Sequence, residues 1–179
     1  RAASTDLPVI LSTGMASLDE IDQAVGVLAL GWSGGGQPCL ESFADALREA
    51  RHGVVLAARL TLLQCTTEYP APFDEINLRS MQDLRERYGV AVGFSDHSEG
   101  AAASLAAVAL GASVIEKHFT TNRNFSGPDH KASILPREFS EMVKLIKKTK
   151  LILGTDVKKC QPEEKEMALV SRKSLHALA

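Results

Sequence analysis

The sequence predicts an α/β fold in which parallel strands alternate with helices, as in part of a (β/α)8 TIM barrel. Four short apolar segments alternate with longer segments of helical periodicity. A polar cluster follows each apolar segment, as expected where parallel strands end together on one rim. The same count of units also fits an open doubly wound sheet, but the repeat length favours the barrel.

The length of the chain limits how much of a barrel it can form. A complete barrel needs about 250 residues, whereas this chain has 179. Four units make half of such a barrel, so we expect the chain to be a fragment. Both outer strands would then carry unpaired backbone groups, and we expect the isolated chain to self-associate.

Composition narrows the classes of partner. The apolar fraction is 45% and the formal net charge is −2, which gives no reason to expect nucleic acid or a membrane as partner. No apolar run approaches the roughly 20 residues that span a bilayer, and residues 1–6 lack the apolar core of a signal peptide. The three cysteines are far apart and are expected to be reduced thiols, which predicts a cytoplasmic protein.

The first unit begins with an apolar run at residues 7–11. Ser17 and Glu20 then form a capping-box pattern that predicts a helix to about Ala29. A glycine-rich stretch at 31–36 follows, but neither a Lys-Ser nor a Lys-Thr pair comes after it. We therefore interpret this stretch as a flexible surface insertion and not as a phosphate-binding loop.

The second unit has a predicted helix at 38–50 and an apolar run at 60–63. The polar stretch that follows contains Thr66, Thr67 and Tyr69, and prolines at 70 and 72 stiffen it. These hydroxyl groups could lie on the rim of the sheet. The same stretch could equally be a turn that leads into the next predicted helix, at 74–88.

The third and fourth units carry the strongest chemical signal. A strand at 90–94 leads into Ser95, Asp96 and His97, and a strand at 113–115 leads to His118, with an alanine-rich helix at 100–110 between them. Adjacent parallel strands lie about 4.8 Å apart, so both imidazoles could reach one metal ion at about 2.1 Å. The alternative is that each histidine is an ordinary polar residue at a strand end.

Strand alternation orients the residues around this pair. Asp96 and Glu116 are the carboxylates that flank the two histidines. Glu116 shares a face with His118, whereas Lys117 points the other way, so Glu116 is the carboxylate directed into the site. A glycine- and asparagine-rich loop at 121–130 follows.

The last predicted helix runs over residues 136–153. Pro136 suits its first position and Gly154 stops it. The final 25 residues are charged and weakly periodic, which indicates an exit segment or linker. Residues 171–178 could begin another small unit.

Seven motifs in register carry a family resemblance. They are LSTGM at 11–15, CTTEYPAP at 65–72, NLR at 77–79, GFSDH at 93–97, AVALGA at 107–112, IEKHFT at 115–120 and GPDHKAS at 127–133. Together they resemble the N-acetylneuraminate (sialic acid) synthase family, which includes the legionaminate and pseudaminate synthases. The similarity extends over about residues 8–174.

The resemblance implies a condensation of phosphoenolpyruvate with the open-chain aldehyde of an N-acylated hexosamine of the mannosamine type. The products are a nine-carbon 2-keto (nonulosonic) acid and phosphate. The family fold is a (β/α)8 barrel followed by a small antifreeze-like domain, in a homodimer. On this basis residues 1–155 are the last four units of the barrel, and 156–179 are a linker toward a missing antifreeze-like domain.

The resemblance also implies roles for individual residues. His97 and His118 would bind a divalent metal, typically Mn²⁺, although two imidazoles with water also suit Mg²⁺ or Co²⁺. Glu116 would lie beside the metal and the reacting aldehyde, where it could orient a water molecule or take its proton. Ser95 would contact the phosphate of phosphoenolpyruvate.

The remaining substrate contacts lie in two loops. Tyr69 and Asp129 would contact the sugar, and Thr67 stands where some members have a substrate-contacting Asn or Ser. The family's upstream lysines and carboxylate that hold phosphoenolpyruvate are absent from this chain. We therefore expect little activity from the isolated chain. A metal-dependent aldolase or phosphatase on a similar barrel, or a non-catalytic fragment, are the alternatives.

Overall fold

Residues 1–5 and 7–172 are described by the computed structural model, and they form strands and helices in alternation. The strands are β1 (Val9–Ser12), β2 (Leu60–Cys65), β3 (Ala91–Asp96) and β4 (Ile115–Lys117). The helices are α1 (Leu18–Trp32), α2 (Leu40–Ala50), α3 (Val54–Arg59), α4 (Ser80–Tyr88), α5 (Ala102–Ala109), α6 (Pro136–Leu153) and α7 (Lys165–Ser171). Short 3-10 helices occur at Ala2–Thr5, Phe73–Glu75 and Pro162–Glu164.

The four strands form one parallel sheet in the order β1-β2-β3-β4. Each strand therefore pairs with the next strand of the chain, and the order never reverses. An open doubly wound sheet has such a reversal, with helices on both faces. The sequential order is that of a half-barrel, as the sequence predicts.

The helices cover one face of this sheet. Leu62, Val92 and Phe94 are almost completely buried on that face, in a core that also contains Leu28 from α1 and Met81 from α4. We call this the outer face.

The opposite, inner face is partly open. Ile10 is 56% exposed, and Ala91 and Glu116 are also exposed, whereas Leu63 and Ser95 on the same face are buried. Parallel sheets are normally buried on both faces. The described residues therefore build one wall of a barrel, and part of its inner face is accessible.

Several local signals act as the sequence predicts. The Ser17 hydroxyl accepts a hydrogen bond from the Glu20 amide, and the Ser17 amide donates to the Glu20 carboxylate at 2.8 Å, which begins α1. Pro136 starts α6, and Gly154 ends it with φ of 59°. Residues 33–36 are exposed, as predicted for a surface insertion.

Other boundaries differ from the prediction. Helix α1 continues to Trp32, and the expected helix at 74–88 is a 3-10 turn followed by α4. The first strand starts at Val9 and the fourth spans only Ile115–Lys117. Helix α3 was not predicted, because six residues are too few to display helical periodicity.

The last part of the described chain is helical, and the cysteines are not paired. Helix α7 and the short 3-10 helix before it lie where the sequence predicts an exit segment. The small unit considered at 171–178 falls almost entirely outside the described residues. Cys39, Cys65 and Cys160 are free thiols, as predicted. Among the helices that the structure describes, none has the length and apolar character needed to cross a membrane.

Candidate functional site

Three aromatic rings meet at the carboxyl ends of the strands. His97 follows β3, His118 follows β4, and Tyr69 lies in the loop after β2. The ring centroids of the two histidines are 5.1 Å apart, and the Tyr69 centroid is 5.3 Å from His97 and 4.4 Å from His118. The structure thus brings the two histidines side by side on one rim.

A backbone carbonyl orients His97. Its Nδ1 lies 2.9 Å from the carbonyl oxygen of Thr66, in the loop after β2. Because a carbonyl only accepts, Nδ1 carries the proton and donates, and Nε2 keeps its lone pair. Metal-binding histidines are commonly held by such a hydrogen bond.

A carboxylate faces His118. Its Nδ1 is 3.7 Å from Asp129 Oδ2, which is too long for a hydrogen bond. The His118 side chain is 36% exposed and that of Asp129 is 57% exposed. The loop that contains Asp129 therefore lies beside the histidine pair and remains open to solvent.

Ser95 and Glu116 form a pair on the inner face. They occupy partnered positions of β3 and β4, and the Ser95 hydroxyl donates to Glu116 Oε1 at 2.7 Å. Ser95 is buried whereas Glu116 is exposed. The carboxylate is thus anchored at one oxygen and accessible at the rim, on the face that strand alternation predicts.

Tyr69 is held by the loop after β4. The hydroxyl of Ser133 donates to the Asp129 carbonyl at 2.7 Å, so the Tyr69 hydroxyl, at 3.3 Å from Ser133 Oγ, is the donor in that contact. Burial raises the pKa of Tyr69, the Ser133 contact opposes this, and the negative charge of Asp129 adds to the rise. Tyr69 is therefore a neutral hydrogen-bonding group in this site.

Thr67 lies on the rim next to the end of β1. A side chain at Gly14 would overlap Thr67 Oγ1, so the absence of a Cβ allows the two loops to approach. The Thr13 hydroxyl donates to the Leu63 carbonyl at 2.8 Å and fixes the end of β1 to β2. All four strand ends therefore contribute to one rim.

A buried ion pair lies behind the histidines, on the outer face. Lys117 Nζ is 3.1 Å from Asp96 Oδ2, and these side chains are 3% and 0% exposed. Lys117 points away from the site, as strand alternation predicts, and Asp96, which the sequence analysis described only as flanking His97, lies with it on the outer face. Asp96 has the opposite strand parity from Ser95 and His97, and this signal could have placed it on the helix side.

The histidine pair fits a divalent ion. Two imidazoles on one ion at about 2.1 Å have ring centroids roughly 4.5 to 6 Å apart, and the observed separation is 5.1 Å. The hydrogen bond at Nδ1 of His97 leaves Nε2 as a ligand atom. Within residues 1–5 and 7–172, no group of three His, Cys, Asp or Glu side chains is placed to hold a metal. Any further ligands would thus be water, substrate or groups outside the described set.

Comparison with known proteins identifies the family. The NeuB family profile matches residues 1–158. This chain belongs to the NeuB family. The match confirms the resemblance seen in the seven motifs.

Two relatives of this chain are synthases of legionaminic and pseudaminic acids. It is 44% identical to the N,N'-diacetyllegionaminic acid synthase of Campylobacter jejuni over 177 residues, which are 99% of this chain and 46% of that protein. It is 32% identical to the pseudaminic acid synthase of Helicobacter pylori over 178 residues, 99% of this chain and 45% of that protein.

A solved structure confirms the fold class. The N-acetylneuraminic acid synthetase of Leptospira borgpetersenii, crystallised with citrate, superposes with a TM-score of 0.72 at 32% identity. The superposition covers 94% of this chain and 50% of that one. This chain spans about half the length of its relatives.

Proposed function

We propose that the protein containing this chain condenses phosphoenolpyruvate with an N-acylated hexosamine aldehyde to give a nonulosonic acid and phosphate. The observation that carries the proposal is the convergence of His97, His118 and Tyr69 beside the Ser95–Glu116 pair, in a chain of the NeuB family. In this reaction C3 of phosphoenolpyruvate bonds to the aldehyde carbon. The oxygen of water adds at C2, and phosphate leaves from C2.

His97 and His118 would hold the divalent ion, for which Mn²⁺ is our first choice and Mg²⁺ or Co²⁺ the alternatives. When bound, such an ion acts as a Lewis acid toward the aldehyde carbonyl. The Thr66 carbonyl supports this assignment because it fixes the ring of His97 and leaves Nε2 free.

Glu116 is our candidate for the group that handles the water. Its carboxylate is exposed at the rim, and Ser95 fixes one of its oxygens. The other oxygen is available to orient a water molecule or to accept its proton. This geometry favours Glu116 over Asp96, which is buried on the outer face.

The substrate contacts are distributed around the same rim. We propose that Tyr69, Asp129 and Thr67 bind the sugar, since all three lie in the loops beside the histidines. Tyr69 is a neutral donor that could turn from Ser133 to a sugar hydroxyl. Ser95 is proposed to contact the phosphate, which would require its hydroxyl to leave Glu116.

The proposal extends to the rest of the protein. The inner face is exposed at Ile10, Ala91 and Glu116, so we propose that another set of strands completes the barrel and that the isolated chain has little activity. On the basis of the resemblance we also propose a homodimeric parent enzyme and a linker role for 156–179, and on the basis of the reduced thiols a cytoplasmic location. The free thiols agree with that location.

The test is phosphate release from phosphoenolpyruvate in the presence of Mn²⁺, before and after addition of N-acetylmannosamine. We expect sugar-dependent release by the full-length protein, and a loss of at least about 100-fold in His97→Asn. His52→Asn is the matched control, because His52 is exposed and has a positive φ that asparagine tolerates.

Two results would contradict the proposal. One is a folded, Mn²⁺-loaded full-length protein that releases no phosphate with any N-acylated hexosamine. The other is an equal loss of activity in both histidine variants. Metal binding without sugar-dependent consumption of phosphoenolpyruvate would favour an aldolase or phosphatase.

A further inference from the structure

The buried pair of Asp96 and Lys117 lies directly behind the proposed metal ligands. Asp96 immediately precedes His97, Lys117 immediately precedes His118, and the two charged residues are partners in the β3–β4 register. Their side chains are 0% and 3% exposed and approach to 3.1 Å. The last paired position of the two strands is therefore an ion pair on the outer face.

Every polar atom of this pair has partners. Asp96 Oδ1 accepts from the amide and the hydroxyl of Ser98 at 2.9 and 2.6 Å, and Oδ2 accepts from the Ser104 hydroxyl and from Lys117. Lys117 also donates to the Ser98 carbonyl at 2.6 Å. The network thus joins the ends of both strands, the loop after β3 and helix α5.

Stability alone does not explain such a network. Removing two charges from water costs about as much as their attraction returns, and an apolar pair of similar volume is often at least as stable. The charges add geometric specificity, because each hydrogen bond of the network fixes an angle as well as a distance between the two strand ends.

Few other contacts fix the backbone of the two histidines. The ladder between the strands ends at Lys117. Beyond it, the His97 carbonyl accepts from the Ala71 amide and the His118 carbonyl from the Ile134 amide. The first donor lies in a loop and the second in an isolated β-bridge of Ile134 with Phe119, so neither joins the two histidines to each other. After the Ser95–Glu116 pair, the ion pair is the last side-chain contact between the two strands.

We propose that Asp96 and Lys117 are positioning residues, which hold His97 and His118 at the separation that one divalent cation requires. This inference rests on the proposed function, in which the two imidazoles bind that cation. Partners of this kind, which support a ligand without touching the metal, typically change metal affinity by about 10- to 100-fold when they are removed.

The test measures Mn²⁺ affinity of the full-length protein by electron paramagnetic resonance, with urea unfolding of each variant. Lys117→Met leaves the buried Asp96 carboxylate without a counter-charge, so it is expected to weaken Mn²⁺ binding and to lower the urea midpoint. The double variant Asp96→Asn with Lys117→Met is uncharged and nearly isosteric. It should recover the midpoint while Mn²⁺ binding stays about 10- to 100-fold weaker.

Asp22→Asn is the control for general destabilisation. Asp22 pairs with Arg87 and Arg51 in the helical layer, away from the rim. We expect it to lower the urea midpoint and to leave Mn²⁺ affinity within about twofold, since it touches no part of the network. A double variant of Asp96 and Lys117 with both wild-type stability and wild-type Mn²⁺ affinity would overturn the inference.

A second readout does not depend on the metal. Nitrogen-15 spectra of the imidazole rings report whether Nδ1 of His97 carries the proton, as its contact with Thr66 requires. If the wild type binds no Mn²⁺, the proposed metal site fails, and this readout alone decides. A change of the His97 and His118 signals in the double variant then supports positioning, and unchanged signals overturn it.

Discussion

Replacing Asp22 by asparagine is expected to lower the free energy of unfolding by about 2 to 4 kcal/mol. Asp22 lies in α1, where its carboxylate accepts from Arg87 Nε at 3.0 Å, from Arg87 Nη2, and from the Tyr88 hydroxyl at 2.7 Å. Arg51 Nη2 is 3.4 Å away. The carboxylate thus joins α1 to α4 and to the residue that follows α2.

The magnitude follows from burial. The Asp22 side chain is 24% exposed and Tyr88 is completely buried. A hydrogen bond to a charged group contributes about 1.5 to 3 kcal/mol, and a buried donor without a partner costs about 1 to 3 kcal/mol. Asparagine keeps one acceptor oxygen, but its amide turns donors toward the guanidinium groups. Losing one such bond and leaving one group unsatisfied would cost about 2.5 to 6 kcal/mol in a fully buried site. Because the Asp22 side chain is partly exposed to water, we expect a loss at or below the lower part of this range, about 2 to 4 kcal/mol.

The effect should depend on pH. Burial raises the pKa of Asp22, but hydrogen bonds from Arg87 and Tyr88 and the charges of Arg87 and Arg51 lower it by more. A carboxyl group whose folded pKa lies below its unfolded value stabilises the fold at neutral pH. This contribution is lost as the pH falls below the unfolded value of about 3.9 and through the folded one.

The assay is urea unfolding followed by Trp32 fluorescence, at pH 7 and at pH 3. The difference between wild type and Asp22→Asn should be largest at pH 7 and smaller at pH 3. Asp45→Asn is the matched control, because Asp45 also pairs with an arginine, Arg48, but both side chains are more than half exposed. We expect it to change stability by less than about 0.5 kcal/mol. Equal effects of the two substitutions, or a difference independent of pH, would refute the reasoning.

Burial raises the pKa of both tyrosines of the chain, Tyr69 and Tyr88, so the absorbance at 295 nm should rise at a higher pH in the folded protein than in urea. Titration of the two tyrosines at the same pH in both states would contradict this. Gly93→Ala should lower the free energy of unfolding by about 1 to 3 kcal/mol, because a Cβ there would lie 2.5 Å from the Val114 carbonyl oxygen. A variant with the urea midpoint of the wild type would contradict this prediction. The isolated chain should self-associate through the exposed part of its inner face, and Ile10→Asp should reduce this association in sedimentation experiments. A monodisperse monomer of the wild-type chain would contradict the prediction.

The pairing of His97 with His118 was predictable from the sequence because it depends on topology. Parallel strands that follow each other in the chain end on the same rim, so residues just past each apolar run must meet there. The position of Glu116 needed only strand alternation in addition. Neither inference required the exact length of a strand, which sequence patterns place poorly.

Contacts between distant loops were not predictable in the same way. The Thr66 carbonyl reaches His97 across 31 positions, and Tyr69 reaches Ser133 across 64. Loop conformations of this kind depend on tertiary packing and leave no periodic signal in the sequence. The sequence could therefore indicate that Tyr69 belongs to the rim but not that its ring contacts both histidines.

The two faces of the sheet explain why the buried ion pair escaped the sequence analysis. Residues 95 and 97 share one parity of β3 and face the rim, whereas Asp96 has the other parity and faces α5. A carboxylate next to a histidine in the sequence invites assignment to the same site, yet in a strand adjacent residues point in opposite directions. The same rule makes Lys117 the partner of Asp96 and makes Glu116 the partner of Ser95. On each strand, one of two adjacent residues thus faces the candidate site, and the other forms the ion pair that fixes the strand end to helix α5.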